Sequence, residues 1–489
     1  MAGGGKGRHP LRKRLIETLA LHPYITIFAA WLVVYVPILV YVGINFEEEH
    51  FTVILDSDEL LATNETTWEY NDNVNDTMLF IHFNGNESDV QVLTATGYIP
   101  IRLELVNYSK LYTSSPYDDN RTWEIMDGEI RFIREKGRNT TWEIEVYKKE
   151  TDAPFYKDRG ETLLEGRMIY KDVPTLNPPL INLLWILPAL AGGTFLVFRI
   201  YFALFALISA FMVMRTFWPD GKWRSVVYGS LFLLNPLTIY STIGAVQDDI
   251  IVAFLFVLTV HAIIRKRQVW ASFLIGAGMA TKVFHLLMMP GLLSGREKLI
   301  KRILKTILAG VVVALFLAPV TYLSPDGVAT FAKLYFTGDS GSALQGISLW
   351  RYLGEIGYYP FINTLLMVVA GLILFFISFR REFGTLNTSF LFILLFLALF
   401  PKMHSGYYLM VLAFIPYFWR MKLGKTLLFL TGSMVIALDI FNGLEFYDTG
   451  LVFIPILVST LLLTTVIHFF IHTYRATLKD ARENRRHRI

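Results

Sequence analysis

Cysteine is absent from this chain of 489 residues. That excludes disulfides, thiolate metal ligands and cysteine nucleophiles, although it does not identify the compartment. Charge is scarce as well: 18% of the residues are charged, against 54% hydrophobic and 15% aromatic. Such a balance is too apolar for an ordinary soluble protein and fits a chain that crosses a membrane several times. No internal repeat is visible. The net charge of +4 says little by itself, because the basic residues lie mostly in short stretches between apolar runs, and no nucleic-acid partner is expected. Nor does a small-residue cleavage site follow the first apolar run, Tyr24 to Val42, before Phe46-Glu47-Glu48-Glu49. That run therefore reads as an uncleaved anchor rather than a signal peptide.

Apolar runs of about 20 residues match the ~30 Å hydrocarbon core that a helix must cross. Basic clusters favour the cytoplasmic side. Those at 215–224, 265–267, 296–302, 380–381, 420–425 and 482–488 all fall inside if the chain makes about twelve spans. This threading reads 270–293 as two short segments turning at Thr281-Lys282, and 178–193 as a helix lying along the outer membrane surface. The expected fold is a polytopic α-helical membrane protein with an inserted extracytoplasmic β-sandwich. Both termini are expected in the cytoplasm, with the β-domain and the polar site extracytoplasmic or lumenal. The expected segments are 1–45 (N-terminus and first span), 46–150 (β-domain), 151–193 (acidic loop and surface helix), 194–472 (spans) and 473–489 (basic tail).

Residues 46–150 alternate apolar and polar side chains in segments such as 78–83 and 142–147, separated by Asn-, Asp- and Gly-rich turns. That pattern predicts an antiparallel sandwich of roughly seven strands. Six N-x-S/T sequons cluster there, at Asn64, Asn75, Asn86, Asn107, Asn120 and Asn139, against one elsewhere at Asn387. The clustering agrees with an outward-facing domain. The D-x-D at Asp56-Ser57-Asp58 reads as a surface turn, since a three-residue match has a high false-positive rate.

Charges near bilayer depth are costly and mark functional candidates. The threading brings several to one face: Asp158, Glu161, Glu165 and Asp172; Gln247, Asp248 and Asp249; Lys282 and His285; Arg351; and Lys402, His404, Tyr407 and Tyr408. Each has a plainer reading. Asp172 can cap the turn before Pro174, and one of Asp248 and Asp249 can cap the helix that starts there. Lys282 can snorkel to headgroups, His404 can be an interfacial histidine, and Tyr407 and Tyr408 can belong to an aromatic belt.

The run Asp158, Gly166, Tyr170-Lys171-Asp172 and Asn177-Pro178-Pro179-Leu180 resembles the first outer loop of the GT-C superfamily of membrane glycosyltransferases. Asn235-Pro236 ahead of Gly244 and Gln247-Asp248 is similar to the same families, as are Gly276 and Ala280-Thr281-Lys282. Lys402-Met403-His404-Ser405-Gly406-Tyr407-Tyr408 is similar to a motif of mannosyltransferase members. The resemblance covers roughly residues 152–410. It departs from the pattern in the β-rich stretch between the first span and the acidic loop, which leaves Glu47, Glu48 or Glu49 as alternatives to Asp158.

What the resemblance implies is transfer of a sugar, mannose first, from a polyprenyl (dolichyl) phosphate donor, with inversion. The acceptor would be a glycan, a glycolipid or a protein. A carboxylate would take the acceptor proton, and cations would stabilise the departing phosphate. The expected catalytic residues are Asp158 and Asp172, with Gln247, Asp248 and Asp249 binding substrate. Lys282, Arg351, Lys402 and His404 are expected to bind the donor phosphate. The scheme needs no cofactor or metal, though a divalent ion bridging carboxylates and phosphate stays open. The glycine-bearing loop 324–359 reads equally as a cover over the donor and as a plain surface loop. The rival expectations are a transporter or flippase of a lipid-linked saccharide, and a receptor whose β-domain binds a partner.

Overall fold

The computed structural model describes residues 17–19, 21–45, 50–51, 67–70, 77–84, 90–94, 97–101, 111–112, 123–125, 130–133, 141–148, 153–170, 175, 177–295, 297–325, 329, 345–346, 360–400, 402–419, 422–443 and 453–486. The chain divides into two compact units. One comprises residues 41–155 and 171–174, and the other takes the remainder.

The first helix, α1 (Pro23–Asn45), belongs mainly to the larger unit. The smaller unit holds nine strands: β1 (His50–Phe51), β2 (Thr67–Tyr70), β3 (Thr77–Asn84), β4 (Val90–Thr94), β5 (Gly97–Ile101), β6 (Leu111–Tyr112), β7 (Trp123–Ile125), β8 (Ile130–Ile133) and β9 (Thr141–Lys148). They form two antiparallel sheets, ordered β1-β9-β3-β6 with β7 also on β3, and β2-β8-β4-β5. The longest ladder joins β3 to β9 from Thr77↔Lys148 to Asn84↔Thr141. Among the described residues, two sheets of mostly two- to five-residue strands, nine in all, thus stand where roughly seven strands of a sandwich were expected.

The larger unit is helical. After α2 (Ala153–Leu164) come the short α3 (Pro179–Leu184) and α4 (Ile186–Leu190), then α5 (Phe195–Thr216) and α6 (Lys222–Leu233). α7 (Pro236–Ile239) runs into a π-turn at Tyr240–Gly244, followed by α8 (Asp249–Ile264) and α9 (Gln268–Thr281). A 3-10 turn, Val283–Met288, leads through α10 (Met289–Leu293) to α11 (Leu299–Leu323). A two-residue strand, β10 (Gln345–Gly346), precedes α12 (Pro360–Arg380) and α13 (Thr385–Leu399). Then come β11 (Lys402–Met403), a 3-10 turn at Ser405–Tyr408, α14 (Leu409–Leu412), α15 (Ile415–Phe418), α16 (Lys422–Gly443) and α17 (Phe453–Arg486).

α5 packs on α6 and α8, α8 on α9, and α9 on α11. α1 docks on this layer through two polar pins: Trp31 Nε1 donates to the Ala203 carbonyl at 3.1 Å, and the Tyr35 hydroxyl to the Leu233 carbonyl at 2.8 Å. Such bonds satisfy carbonyls and ring donors that no water would reach. Gly229 lets the helices close up, since a Cβ there would lie 2.5 Å from Ile27 Cδ1 and 2.8 Å from the Ala210 carbonyl oxygen.

Among the described residues three helices are long and apolar enough to cross a membrane: Pro23–Gly43, Phe195–Thr216 and Leu299–Leu323. A fourth is added if Lys222–Leu233 and Pro236–Gly244, bent by 50°, count as one span. This corrects the expectation of about twelve spans. The physical reason is that hydropathy counts apolar residues without seeing where a helix breaks. Asn235-Pro236 interrupts one run, and the extended backbone of Lys282 (φ −153°, ψ 132°) ends α9 at 14 residues. At 1.5 Å per residue such a piece is ~21 Å long, short of the ~30 Å core. The cytoplasmic placement of both termini, and the extracytoplasmic placement of the β-domain and site, rested on that count and fall with it.

Candidate active site

The break between α6 and α7 starts the path to the site. Asn235 caps α7, its Oδ1 accepting from the Leu237 amide at 2.9 Å, and its Nδ2 donates to Thr431 Oγ1 on α16 at 3.2 Å. Pro236 then sits at the first helical position, where its missing N–H costs nothing. The helix loosens into the π-turn, which buried Arg199 of α5 holds by donating Nε to the Ile243 carbonyl at 2.9 Å. Val246 follows with φ +48° and no solvent exposure. A β-branched residue in the left-handed region is strained by ~1–3 kcal/mol, and such strain persists only where the surroundings enforce it. Its effect is to turn Gln247, Asp248 and Asp249 into the start of α8.

The two carboxylates meet one cation. Lys282 Nζ donates to Asp248 Oδ1 at 2.7 Å and to Asp249 Oδ1 at 2.6 Å. All three side chains are largely buried, 14% exposed for the lysine and 6% for each aspartate. Asp248 occupies the N-cap position of α8 but makes no side-chain capping bond there, so its carboxylate serves the lysine. Lys282 sits at the break after α9, outside the membrane-length helices. Burial there pulls its pKa down, but Asp248, Asp249 and Tyr407 outweigh that and hold it well above 10.5. The ammonium also lies 5.6 Å from the Phe284 ring centre and 5.8 Å from that of Tyr407.

A glycine closes the other side. A Cβ on Gly406 would stand 2.1 Å from Asp249 Oδ2 and 2.9 Å from Gln247 Oε1. That turn is tied down by Tyr407, whose ring meets Phe284 at 4.5 Å and His404 at 5.4 Å, both edge-on. Just before it, Lys402 pairs with Gln345 and Met403 with Gly346 as parallel strands. Gln247 Oε1 is buried and has no hydrogen-bond partner among the described residues. A buried amide oxygen left open in this way marks a place for a donor to arrive.

α2 approaches from another direction. Gly160 allows the contact, because a Cβ there would lie 2.6 Å from the Trp185 carbonyl oxygen and 2.7 Å from Ala189 Cβ. Tyr156 stacks on Trp185 with ring centres 4.3 Å apart, and its hydroxyl accepts from the Asp248 amide at 3.3 Å. Asp158 is buried on the same helix, two residues on. At about 100° per residue, its side chain leaves α2 on a different side from Tyr156.

Glycosyltransferase family 87 has a sequence profile that matches residues 176–438, more than half of the chain. The chain belongs to this family. It is therefore a membrane glycosyltransferase of the GT-C class. No curated protein matches the chain. The family 87 match includes Gln247, Asp248, Asp249, Lys282 and the 402–408 stretch, and begins after Asp158.

Of the residues expected in the site, the structure brings together Gln247, Asp248, Asp249 and Lys282, with His404 and Tyr407 beside them. Lys402 lies on the strand leading into that turn. Asp172 and Arg351 lie outside the described residues. His285 goes into the helical core, stacked on Phe256 at 4.0 Å in space left by Gly278. Tyr156, Arg199, Val246 and Gly406 were not expected as site residues. Only Gly406 carried a sequence signal, as the small residue inside an otherwise polar and aromatic motif. Among the described residues, no group of three or more His, Asp or Glu is placed to hold a metal ion.

Proposed function

We propose that this family 87 enzyme transfers mannose from a polyprenyl-phosphate donor to a hydroxyl of a glycan or glycolipid, with inversion. The observation that carries this reading is the cluster of hydrogen-bond acceptors formed by Asp248, Asp249 and Gln247 around one lysine. Gln247 Oε1, buried and without a hydrogen-bond partner among the described residues, adds an acceptor to the two carboxylates. Sugar hydroxyls are the donors that such a surface suits.

In the proposed step the acceptor oxygen bonds to the anomeric carbon as the bond from that carbon to the phosphate oxygen breaks. The acceptor proton passes to Asp158, with Asp172 as a second carboxylate of the same loop. Asp248 and Asp249 are both committed to Lys282 and orient the sugar. The polyprenyl phosphate leaves with its extra charge, which Lys402, His404 and Arg351 offset, with Lys282 the inner cation of the group. Aligning the two reactants is the larger part of what such a site supplies.

The test is transfer of radiolabelled mannose from polyprenyl-phosphate mannose to a glycolipid extract by the purified protein in lipid. Wild-type transfer with a loss of about 10²-fold or more in both Asp158→Asn and Asp249→Asn supports the assignment. Full activity in Asp158→Asn moves the base elsewhere. No transfer from mannose, glucose or arabinose donors rejects the donor class.

A further inference from the structure

A groove with a cavity volume of about 410 Å³ runs along one face of α6 as far as the Asn235-Pro236 break, and none of Gln247, Asp248, Asp249 and Lys282 lines it. Trp223, Val227, Ser230 and Leu234 form its floor, with Leu19 and Leu428 of α16 among its walls. The floor residues recur every three or four positions, so they make one continuous stripe, ~16 Å long at 1.5 Å per residue. α6 is the first half of the bent pair that qualifies as a membrane span, and Pro23–Gly43, just after Leu19, is another. A groove between such helices opens onto hydrocarbon, so its natural filling is a hydrocarbon chain rather than water.

The charges at one end select which lipid. Lys222 and Arg224 flank Trp223 at the start of α6 and are exposed. Lys425, one turn before Leu428 on α16, is exposed as well. The described acids nearest these residues in the sequence are Glu17 and Asp220. Among the described residues, Lys222, Arg224 and Lys425 thus outnumber Glu17 and Asp220 on the helices that bound the groove. A basic rim on an apolar slot between membrane helices recognises an anionic headgroup with its chain inserted.

We propose that this groove is a binding site for an anionic phospholipid of the bilayer, one acyl chain lying along α6 and the headgroup phosphate held by Lys222, Arg224 and Lys425. Trp223 marks the boundary between chain and headgroup, the position that tryptophan favours at membrane interfaces.

The experiment uses the full-length protein in a neutral detergent, with phosphatidylglycerol and phosphatidylcholine of identical chains read by native mass spectrometry. One phosphatidylglycerol is expected to be retained in preference to phosphatidylcholine by about fivefold or more, the contribution of a single cation near the headgroup. Replacing Lys222, Arg224 and Lys425 together by Gln should bring that preference to about one. Ser230→Phe fills the slot and should lower retention of both lipids by about tenfold. Should that variant fail to fold, brominated-chain phosphatidylglycerol gives an independent reading. Its quenching of wild-type fluorescence should exceed that of Trp223→Phe. Equal retention of the two lipids, retention unchanged in Ser230→Phe, or quenching unchanged in Trp223→Phe would each overturn the proposal.

Discussion

Replacing Lys282 by Met removes the ammonium that both Asp248 and Asp249 bind. Its Nζ lies 2.7 and 2.6 Å from their Oδ1 atoms, and each carboxylate is only 6% exposed. The change therefore leaves two like charges close together with little water to screen them. Breaking a buried pair by removing one partner costs ~3–5 kcal/mol, most of it the stranded charge rather than the lost attraction. Unfolding free energy measured in mild detergent should fall by about that amount, and transfer activity by about 10²-fold, since the carboxylates would separate or take up protons. Removing the carboxylates as well separates the two effects. In Asp248→Asn/Asp249→Asn/Lys282→Met no charge is stranded, so most of the lost stability should return while activity stays low. Lys282→Arg keeps the charge and should fall between wild type and Lys282→Met in both assays. A Lys282→Met protein with unchanged stability and activity within a few fold would refute the buried triad. A triple variant that regained activity would show the triad to be structural only.

Three further outcomes follow from neighbouring contacts. Gly406→Ala places a methyl 2.1 Å from Asp249 Oδ2, so the carboxylate must shift, and activity should drop by about 10²-fold with thermal stability nearly unchanged. Tyr156→Phe keeps the stack on Trp185 and removes the acceptor for the Asp248 amide. It should cost about 1 kcal/mol or more of stability, lower kcat more than it raises KM, and leave near-ultraviolet circular dichroism as in wild type. Because the folded pKa of Lys282 is raised above the ordinary 10.5, its stabilising charge is fully present below that value and is lost only as pH rises through the higher folded value. The pH profile of kcat/KM should therefore show no Lys282 limb across the neutral and mildly alkaline range. A limb there that disappears in Lys282→Arg would contradict the raised value.

The glycosyltransferase class and the polar residues that meet around Lys282 were legible in the sequence, and the number of spans was not. The acids at 248–249 and the lysine at 282 stand out because charge is rare in apolar surroundings and must find a partner. Their spacing of more than thirty residues says nothing about the contact, which the fold alone supplies. Helix breaks are harder to read. Asn235-Pro236 announces one and Thr281-Lys282 another, where the turn was expected, whereas the π-turn at Tyr240–Gly244 depends on packing from α5. The twelve-span count failed because the pieces between such breaks are too short to cross the hydrocarbon core. Tyr156 and Arg199 act through backbone groups, Asp248 N and Ile243 O, and such a bond leaves no pattern in a single sequence. His285 shows the converse error: a polar residue in a motif-bearing stretch was read as facing the site, and it stacks in the core instead.

Strain and close approach point to the same conclusion about what this site holds. Val246 adopts φ +48° immediately before Gln247, and Gly406 brings backbone against the same carboxylate that Lys282 binds. Neither feature is what an ordinary helix start requires. Helix starts in general welcome anions, because free amides and the helix dipole offer positive potential. Here two carboxylates occupy that position, and both accept from Lys282. Neutral hydroxyls, which donate to carboxylate and amide oxygens, fit well. The proposed division of labour puts the sugar at the 247–249 turn and the donor phosphate at the stretch with Lys402 and His404, which the Gln345–Gly346 strand adjoins. Replacing His404 by Ala should then raise KM for the lipid donor without changing that for the acceptor, and the reverse pattern would place the two ligands the other way round.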